Sequence, residues 1–234
     1  MLRNFMRYFG AYRFLFESPK WVNHLLIGAV CQFIPIVGQL VLMGYVYSVI
    51  EAKHRHGQDQ FPDFDFNQLG AYLVRGVWPF LVSLVAALPV ILLTGAGILV
   101  FVLSGVAADR ADDPPILMIA IMMVGIPVFV LLILGLQAVL LPMTLRAGLS
   151  QDFGSAFSMT FIRDFVGRVW KELLLSMLFL IISAPFVVLA GLLMLFVGVY
   201  AAAVVLVFAK IHLQYQLYEL YLQRGGTPFP LKSA

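Results

Sequence analysis

CQFIPIVGQL, residues Cys31 to Leu40, lies in the middle of a run of 30 residues that contains no Asp, Glu, Lys or Arg, from Trp21 to Ile50. Inside a helix a proline removes one backbone hydrogen bond, and a nearby glycine eases a reversal of the chain. Pro35 and Gly38 therefore predict a hairpin over residues 21–52 that enters and leaves the membrane on the same side. The alternative interpretation of the same run is one long, tilted crossing.

The composition predicts an integral membrane protein. Hydrophobic residues make up 62% of the 234 and charged residues 12%, whereas soluble domains have about 45–50% and about 25%. Three further runs without acidic or basic side chains span Gly76–Ala108, Pro114–Leu145 and Leu173–Ala209, with lengths of 33, 32 and 37 residues. A spanning helix needs about 20 residues. Because the runs are apolar on every side, they favour helices over a β-barrel, whose strands carry polar lumen positions.

The last run is too long for one crossing, and with its continuation it fits two helices joined by a tight turn near Gly191–Gly198. We therefore expect four crossings, at residues 70–106, 114–146, 172–192 and 196–222. A cytoplasmic loop over residues 53–67 and a C-terminal tail over residues 223–234 complete the predicted organisation.

Two amphipathic segments, residues 1–20 and 150–170, mix aromatic side chains with spaced arginines. In the second, phenylalanine recurs every four residues, at Phe153, Phe157, Phe161 and Phe165. Such segments lie in the headgroup layer as anchors, and the alternative role is a docking surface for a partner or for anionic lipid. The predicted fold is all-α, a polytopic integral membrane helix bundle with an N-terminal re-entrant hairpin, four transmembrane helices and two interfacial amphipathic helices. Residues 21–222 form its single membrane domain.

The distribution of basic residues predicts which side of the membrane each segment faces. With a hairpin, the N-terminus, the polar loop, the 146–171 segment and the C-terminus share one face and carry 14 of the 15 Lys and Arg residues, leaving Arg110 alone on the other. A single first crossing would divide them 10 to 5. Since the positive-inside rule favours the more unequal distribution, we predict an inner or plasma membrane protein with both termini cytoplasmic.

GYVYSVIEAKHRHGQDQFPDFDF, Gly44 to Phe66, is the longest markedly polar stretch. Its candidate metal ligands are His54, His56, Asp59, Asp63 and Asp65. The stretch lacks the HExxH or CxxC spacing of zinc sites and the regular oxygen ligands of a calcium loop. We therefore interpret it as a solvated loop and predict no metal and no cofactor. The rings of Phe61, Phe64 and Phe66 are expected to dip into the membrane interface. Asp65 is expected to cap the following helix.

Polar side chains are few in the predicted crossings, and none near their centres is ionisable. The mild ones, interpreted as partners in interhelical hydrogen bonds, are Gln32, Gln39, Thr94, Ser104, Gln137, Ser176 and Ser183. The glycines of GAGILVFVLSG, Gly95 to Gly105, predict close approach of helices. His212, Gln216 and Glu219 form a polar stripe on the last helix, which we expect to pack on the 51–75 loop.

A set of short motifs is spread over the first third of the chain and the last helix. They are Trp21, Ile34-Pro35 with Gly38, Gly44-Tyr45, Gly57, Phe61-Pro62-Asp63-Phe64-Asp65, and His212-Leu213 with Gln216. The pattern resembles a family of prokaryotic multi-pass membrane proteins catalogued as a domain of unknown function, over about residues 15–222. Phe61 stands where that family has a leucine before the proline. The resemblance implies a topology and transfers no catalytic residue.

Three functions are weighed on these features. The leading one is a non-enzymatic membrane scaffold or accessory subunit, whose partners are the lipid bilayer and a membrane or cytoplasmic protein or a second copy. A net charge of +3 suggests no nucleic-acid partner. The alternative is a transporter or channel for a small or lipid-like molecule, built around the broken hairpin. The third is an interfacial membrane enzyme with His54, His56, Asp63 and Asp65 as its acid–base set. The candidate motif residues are Pro35, Gly38, Gly44, Tyr45, Pro62, Asp63, Asp65, His212 and Gln216.

Overall fold

A computed structural model of the chain describes residues 6–56, 61–110, 119, 121–194 and 197–232. Within these ranges the chain forms eight α-helices and no strand. They are α1 Tyr8–Arg13, α2 Trp21–Gln32, α3 Val37–His56, α4 Leu69–Arg110, α5 Ile126–Ser150, α6 Phe153–Ala156, α7 Met159–Leu193 and α8 Val197–Gln223. Short 3₁₀ helices lie at Leu15–Glu17 and Phe66–Gln68, and a π-helical turn at Ile121–Gly125 leads into α5. The all-α prediction is confirmed.

Four helices, α4, α5, α7 and α8, are long and apolar enough to cross a membrane. At about 1.5 Å per residue, the 42 residues of α4 and the 35 residues of α7 extend about 63 Å and about 52 Å. The hydrocarbon core is about 30 Å thick. Each of these two helices therefore has one part for the membrane and another part that packs outside the hydrocarbon.

The interrupted first run forms the hairpin and not the single crossing. Its arms α2 and α3 run antiparallel, and α2, with 12 residues, is about 18 Å long, too short to cross. Ile36 in the connecting turn has a positive φ of 62°, a rare backbone conformation for a β-branched residue. Gly38 lets α3 begin against α2, because a Cβ there would lie 1.8 Å from the Cys31 carbonyl oxygen.

The predicted boundary between an amphipathic helix at 150–170 and a crossing at 172–192 lies close to a kink in α7. Val169 has non-helical backbone angles, φ −126° and ψ 20°, so two helical parts meet there. The amphipathic part is itself divided, because the four-residue α6 precedes α7. The prediction that the phenylalanines of this segment face lipid is wrong for Phe161 and Phe165, which are buried against Tyr221.

The predicted interfacial helix over residues 1–20 is shorter and more deeply packed than expected. Its described part is α1 followed by the 3₁₀ turn, and Ala11, Phe14 and Leu15 are buried. The rings of Tyr8, Phe9 and Tyr12 surround Phe179 of α7. Part of the aromatic face that the sequence assigned to lipid is therefore used for protein packing, while Phe9 and Phe16 stay exposed.

Two regions differ in how they are packed. We call the arm the segments Leu84–Ala107 of α4 and Met123–Gln137 of α5; Ser104 is its one buried residue among the described side chains. We call the base the remaining described residues, which are organised around the buried helix α3. The arm meets its surroundings almost entirely with apolar side chains, and the base contains the core.

Candidate functional site at the polar end of the base

A chain of hydrogen bonds from the hairpin fixes the segment Phe61–Asp65. The Tyr45 hydroxyl lies 2.9 Å from the Pro62 carbonyl oxygen and 3.0 Å from His24 Nδ1, and His24 Nε2 lies 2.9 Å from Ser18 Oγ. Because a carbonyl only accepts, Tyr45 donates to Pro62 and accepts from His24 Nδ1–H. In the neutral form of His24, which burial favours, Ser18 then donates to Nε2.

Burial lowers the pKa of His24, the nearby Asp63 carboxylate raises it, and Lys20 lowers it further. Asp63 Oδ1 is 4.0 Å from His24 Nε2, and Asp63 also pairs with Lys20 at the surface. Ser18 beside His24 has the composition of a nucleophile and a base. However, Ser18 and His24 are only 2% and 3% exposed, so this pair holds the hairpin to the segment and offers no opening to a substrate.

The aromatic rings of the polar stretch are packed differently from the sequence prediction. Phe61 and Phe64 contact the buried core, and Phe66 alone of the three rings is strongly exposed. The expectation that all three enter the membrane interface is therefore wrong for the first two, because Phe14, His24 and Tyr45 offer them aromatic partners. Asp65 does cap the turn that leads into α4, since its Oδ1 accepts the Asn67 backbone N–H at 2.9 Å.

The candidate metal ligands are not brought together in the described part of the chain. The predicted loop 53–67 is wrong at its start, because α3 continues to His56. His54 Nδ1 lies 2.8 Å from the Tyr215 hydroxyl, while Asp59 and the side chain of His56 lie outside the described residues. No group of three His, Cys, Asp or Glu residues suited to a metal occurs among the described residues.

His212 and Gln216 contact the N-terminal segment, so the prediction that they pack on the 51–75 loop is wrong. The His212 imidazole stacks on Phe14 with ring centroids 4.1 Å apart. Gln216 accepts the Arg7 backbone N–H at 2.8 Å and donates to the Arg7 carbonyl at 3.4 Å. These contacts tie α1 to α8 at one end of a groove.

The groove has a volume of about 740 Å³ and lies between the N-terminal segment and α8. Its polar lining includes Arg7, Arg13, Glu17, His212, Gln216 and Glu219. Glu17 is already paired with Lys53 at 2.7 Å. Neither groove arginine has a carboxylate of the described residues within 4.0 Å, so the groove is open, partly aromatic and weakly basic.

Sequence reasoning missed a buried ion pair between α3 and α4. Arg75, 1% exposed, donates from both terminal nitrogens to Glu51 Oε2 at 3.1 Å and from one of them to the Lys232 carbonyl at 2.7 Å. When the Gln151 amide is oriented with its oxygen toward Arg75, that oxygen accepts from Arg75 Nε at 3.1 Å. Arg55 completes the arrangement by pairing with Glu51 at 2.5 Å. The signal in the sequence was a Glu and an Arg at the ends of two adjacent charge-free runs.

This ion pair also orders the residues predicted as a tail. Phe229 is buried against Tyr218 and Phe161, and the Lys232 backbone N–H donates to the Leu149 carbonyl at 3.1 Å. Residues 227–232 therefore lie across the base as a strap bonded to α3, α4 and the end of α5.

Interhelical hydrogen bonds occur through some of the predicted residues and through others that the sequence did not suggest. The Tyr47 hydroxyl, fully buried, lies 3.2 Å from both the Thr144 carbonyl and Gln214 Oε1 and so links α3, α5 and α8. Gln32 with Gln39, and Ser183 with Tyr12, match the expectation. Ser104 and Ser176 instead donate to carbonyls of their own helices.

The polar end of the base thus combines three features: the segment Phe61–Asp65 held by hydrogen bonds, the buried Glu51–Arg75 ion pair, and the groove between α1 and α8. No curated protein and no solved structure matches the chain. Residues 27–199, from the second turn of α2 to the start of α8, match the family described as "Protein of unknown function (DUF4013)". The chain belongs to that family.

Proposed function

We propose that the protein is a non-enzymatic scaffold or accessory subunit of the inner or plasma membrane, and that its groove between α1 and α8 receives a segment of a partner protein. The proposal rests on the contrast between buried polar groups that have hydrogen-bond partners within the protein and polar groups that line the groove. Ser18, His24, Tyr45, Glu51 and Arg75 are buried in complete hydrogen-bond arrangements. The groove arginines point into a cavity of about 740 Å³.

The lining of the groove favours an acidic amphipathic segment as the occupant. Arg7 and Arg13 supply two positive charges, Glu17 is neutralised by Lys53, and Glu219 leaves a positive balance. Phe9 and Phe16 expose 79% and 47% of their surface at the same place. Aromatic residues together with arginines are enriched where proteins bind one another. The complement is a helix or strand with carboxylates on one side and apolar residues on the other.

The orientation of the scaffold follows from its basic residues. The base side of the chain has 14 of the 15 Lys and Arg residues, and the far end of the arm has Arg110. Short segments rich in Lys and Arg stay in the cytoplasm. The groove then faces the cytoplasm, as do both termini, and the partner segment is cytoplasmic or juxtamembrane.

Site-specific photo-crosslinking in cells tests the proposal. A crosslinker at Phe16, in the groove, is expected to trap one partner, and the double charge reversal Arg7→Glu and Arg13→Glu is expected to abolish that product. Arg163→Glu is the matched control, because Arg163 is exposed on α7 and has no ion pair in the described structure. Solute flux in proteoliposomes that contain this chain alone, or turnover of lipid by the purified chain, would contradict the scaffold function.

A further inference from the structure

Arg146, near the end of α5, is a second arginine packed into the base. Unlike Arg75, its side chain donates no hydrogen bond to the described residues. Its guanidinium carbon lies 4.9 Å from the ring centroid of Phe161 and 5.8 Å from that of Phe229. No carboxylate of the described residues pairs with it, and its Nε is buried without a hydrogen-bond partner among the described atoms. The aromatic faces hold the cation in place electrostatically but accept none of its in-plane N–H groups. A buried donor without an acceptor is costly, so such a group calls for one.

A cavity of about 270 Å³ opens beside this guanidinium. It is lined by Arg146, Ser150, Asp152, Ser155, Pro230, Leu231 and Lys232. Arg146 and Lys232 supply two positive charges against the single carboxylate of Asp152, whose Oδ1 already accepts the Gly154 backbone N–H at 3.0 Å. The hydroxyls of Ser150 and Ser155 lie 3.1 Å apart at the same wall and donate to the Arg146 and Asp152 carbonyls, at 2.7 Å and 3.2 Å. The cavity therefore combines a net positive charge with an unfilled donor on Arg146.

We propose that this cavity binds a phosphate group, carried by an anionic lipid headgroup or by a free phosphate. A planar guanidinium matches phosphate oxygens with two parallel hydrogen bonds, and an ammonium adds a point charge. The volume lies just below the range of about 300–1,000 Å³ for larger organic ligands, which suits a small anion or headgroup. The position also fits, because Ser150 ends a helix long enough to cross the membrane. Basic residues beside the cytoplasmic end of a membrane-spanning helix attract anionic lipid headgroups.

The strap of residues 227–232 forms one wall of the cavity through Pro230, Leu231 and Lys232. Its backbone is held independently by Arg75, Arg55 and Leu149. Replacement of the Lys232 side chain therefore removes one charge from the cavity and leaves these backbone contacts in place. This makes Lys232→Gln a variant that tests binding without the packing loss that Arg146→Gln brings.

The experiment uses the full-length chain purified in detergent and two probes. Native mass spectrometry follows retention of phosphatidic acid, a phosphomonoester lipid, from mixed micelles with phosphatidylcholine. Calorimetry follows binding of inorganic phosphate. We expect at least tenfold weaker binding of the responsible probe for Arg146→Gln and a smaller but measurable weakening for Lys232→Gln, with Arg163→Gln unchanged.

The two probes separate the sources of the phosphate group. Retention of phosphatidic acid that free phosphate does not displace assigns the cavity to lipid, whereas saturable binding of inorganic phosphate assigns it to a free anion. Either result supports the site when it depends on Arg146 and Lys232. Absence of binding by the natural chain, or binding that neither substitution weakens, would overturn the proposal.

Discussion

Glycine has opposite uses in the base and in the arm. In the base, a Cβ at Gly44 would lie 1.7 Å from the Tyr72 carbonyl oxygen, and one at Gly76 would lie 1.9 Å from that of Leu40. In the arm, Gly95, Gly97 and Gly135 have no atom within 4 Å of the same position. Helices in membranes gain little from the hydrophobic effect between themselves and rely on close packing and hydrogen bonds. The base has both features, whereas these three arm glycines face open space and the Ser104 hydroxyl of the arm donates within its own helix.

This difference implies that the two regions contribute unequally to stability. The base contains the buried ion pair, the His24 chain of hydrogen bonds and the glycine contact between α3 and α4. The arm is apolar and exposed, so its residues meet lipid in the folded chain much as a separate membrane helix would. Substitutions in the base are therefore expected to alter the free energy of unfolding far more than those in the arm.

The largest effect is expected from Arg75→Ala. The substitution leaves Glu51 buried without its main partner, and breaking a buried ion pair in this way costs about 3–5 kcal/mol. It also releases the Lys232 carbonyl. Unfolding in detergent, followed by circular dichroism with increasing denaturant, measures the loss. Arg163→Ala is the control, and a loss below about 1 kcal/mol would mean that the buried pair is not a main support of the base.

The glycine comparison gives the second largest effect. Gly44→Ala forces α3 and α4 apart and is expected to cost about 1–3 kcal/mol, the range for overpacking in a tight core. Gly97→Ala meets open space and replaces glycine with a better helix former, so we expect no loss or a gain of up to about 1 kcal/mol. Parallel denaturation curves of the two variants make the test. Equal effects of the two substitutions would remove the distinction between base and arm.

The elements that could be predicted from sequence are those that depend on hydropathy alone. The expected crossings at 172–192 and 196–222 correspond to the C-terminal part of α7, which ends at Leu193, and to α8, which begins at Val197. The hairpin followed from Pro35 and Gly38, because a proline and a glycine act on the local backbone. Lipid imposes these features on each segment independently.

The elements that could not be predicted depend on contacts between distant segments. From sequence alone, Arg75 is predicted to be a basic residue at the membrane interface, but in the fold it is paired with Glu51 of α3. Phe161 is predicted to be a lipid anchor, but Tyr221 and Phe229 cover it. The hydrogen bonds of His24 could not be predicted, because its partners, Ser18 and Tyr45, lie 6 and 21 residues away in the sequence. An amphipathic pattern indicates an apolar face without indicating whether lipid or protein covers that face.

A smaller effect is expected from Tyr45→Phe, which removes one hydroxyl from the base. The Pro62 carbonyl and His24 Nδ1 both lose their partner, and burial raises the pKa of this phenol, so it is a committed donor. Loss of one buried hydrogen bond costs about 1–2 kcal/mol. Tyr200→Phe is the control, because Tyr200 forms no hydrogen bond in the described structure and stacks on Phe33 with its ring alone. Proteolysis near residues 61–65 should accelerate in Tyr45→Phe and stay unchanged in Tyr200→Phe.

The most subtle difference is a pH dependence of the base that originates at His24. Burial lowers its pKa below the value of about 6.5 for an unfolded chain. Well above pH 6.5 both states are almost entirely unprotonated, so the residue adds almost no pH dependence there. Below that value the unfolded chain binds a proton that the folded chain resists, and stability falls by at most about 1.4 kcal/mol per pH unit. Asp63, 4.0 Å from Nε2, opposes this effect and Lys20 reinforces it.

Denaturation between pH 7.5 and 5.5, compared for the natural chain and His24→Gln, measures this contribution as the difference between the two slopes. Substitution lowers stability at neutral pH, but the slope reports only on protonation of the imidazole. A steeper decline for the natural chain on acidification is expected, because the glutamine side chain does not titrate. Parallel slopes would show that His24 is protonated as readily in the folded chain as in the unfolded one, and the neutral relay from Ser18 to Pro62 could not then be correct.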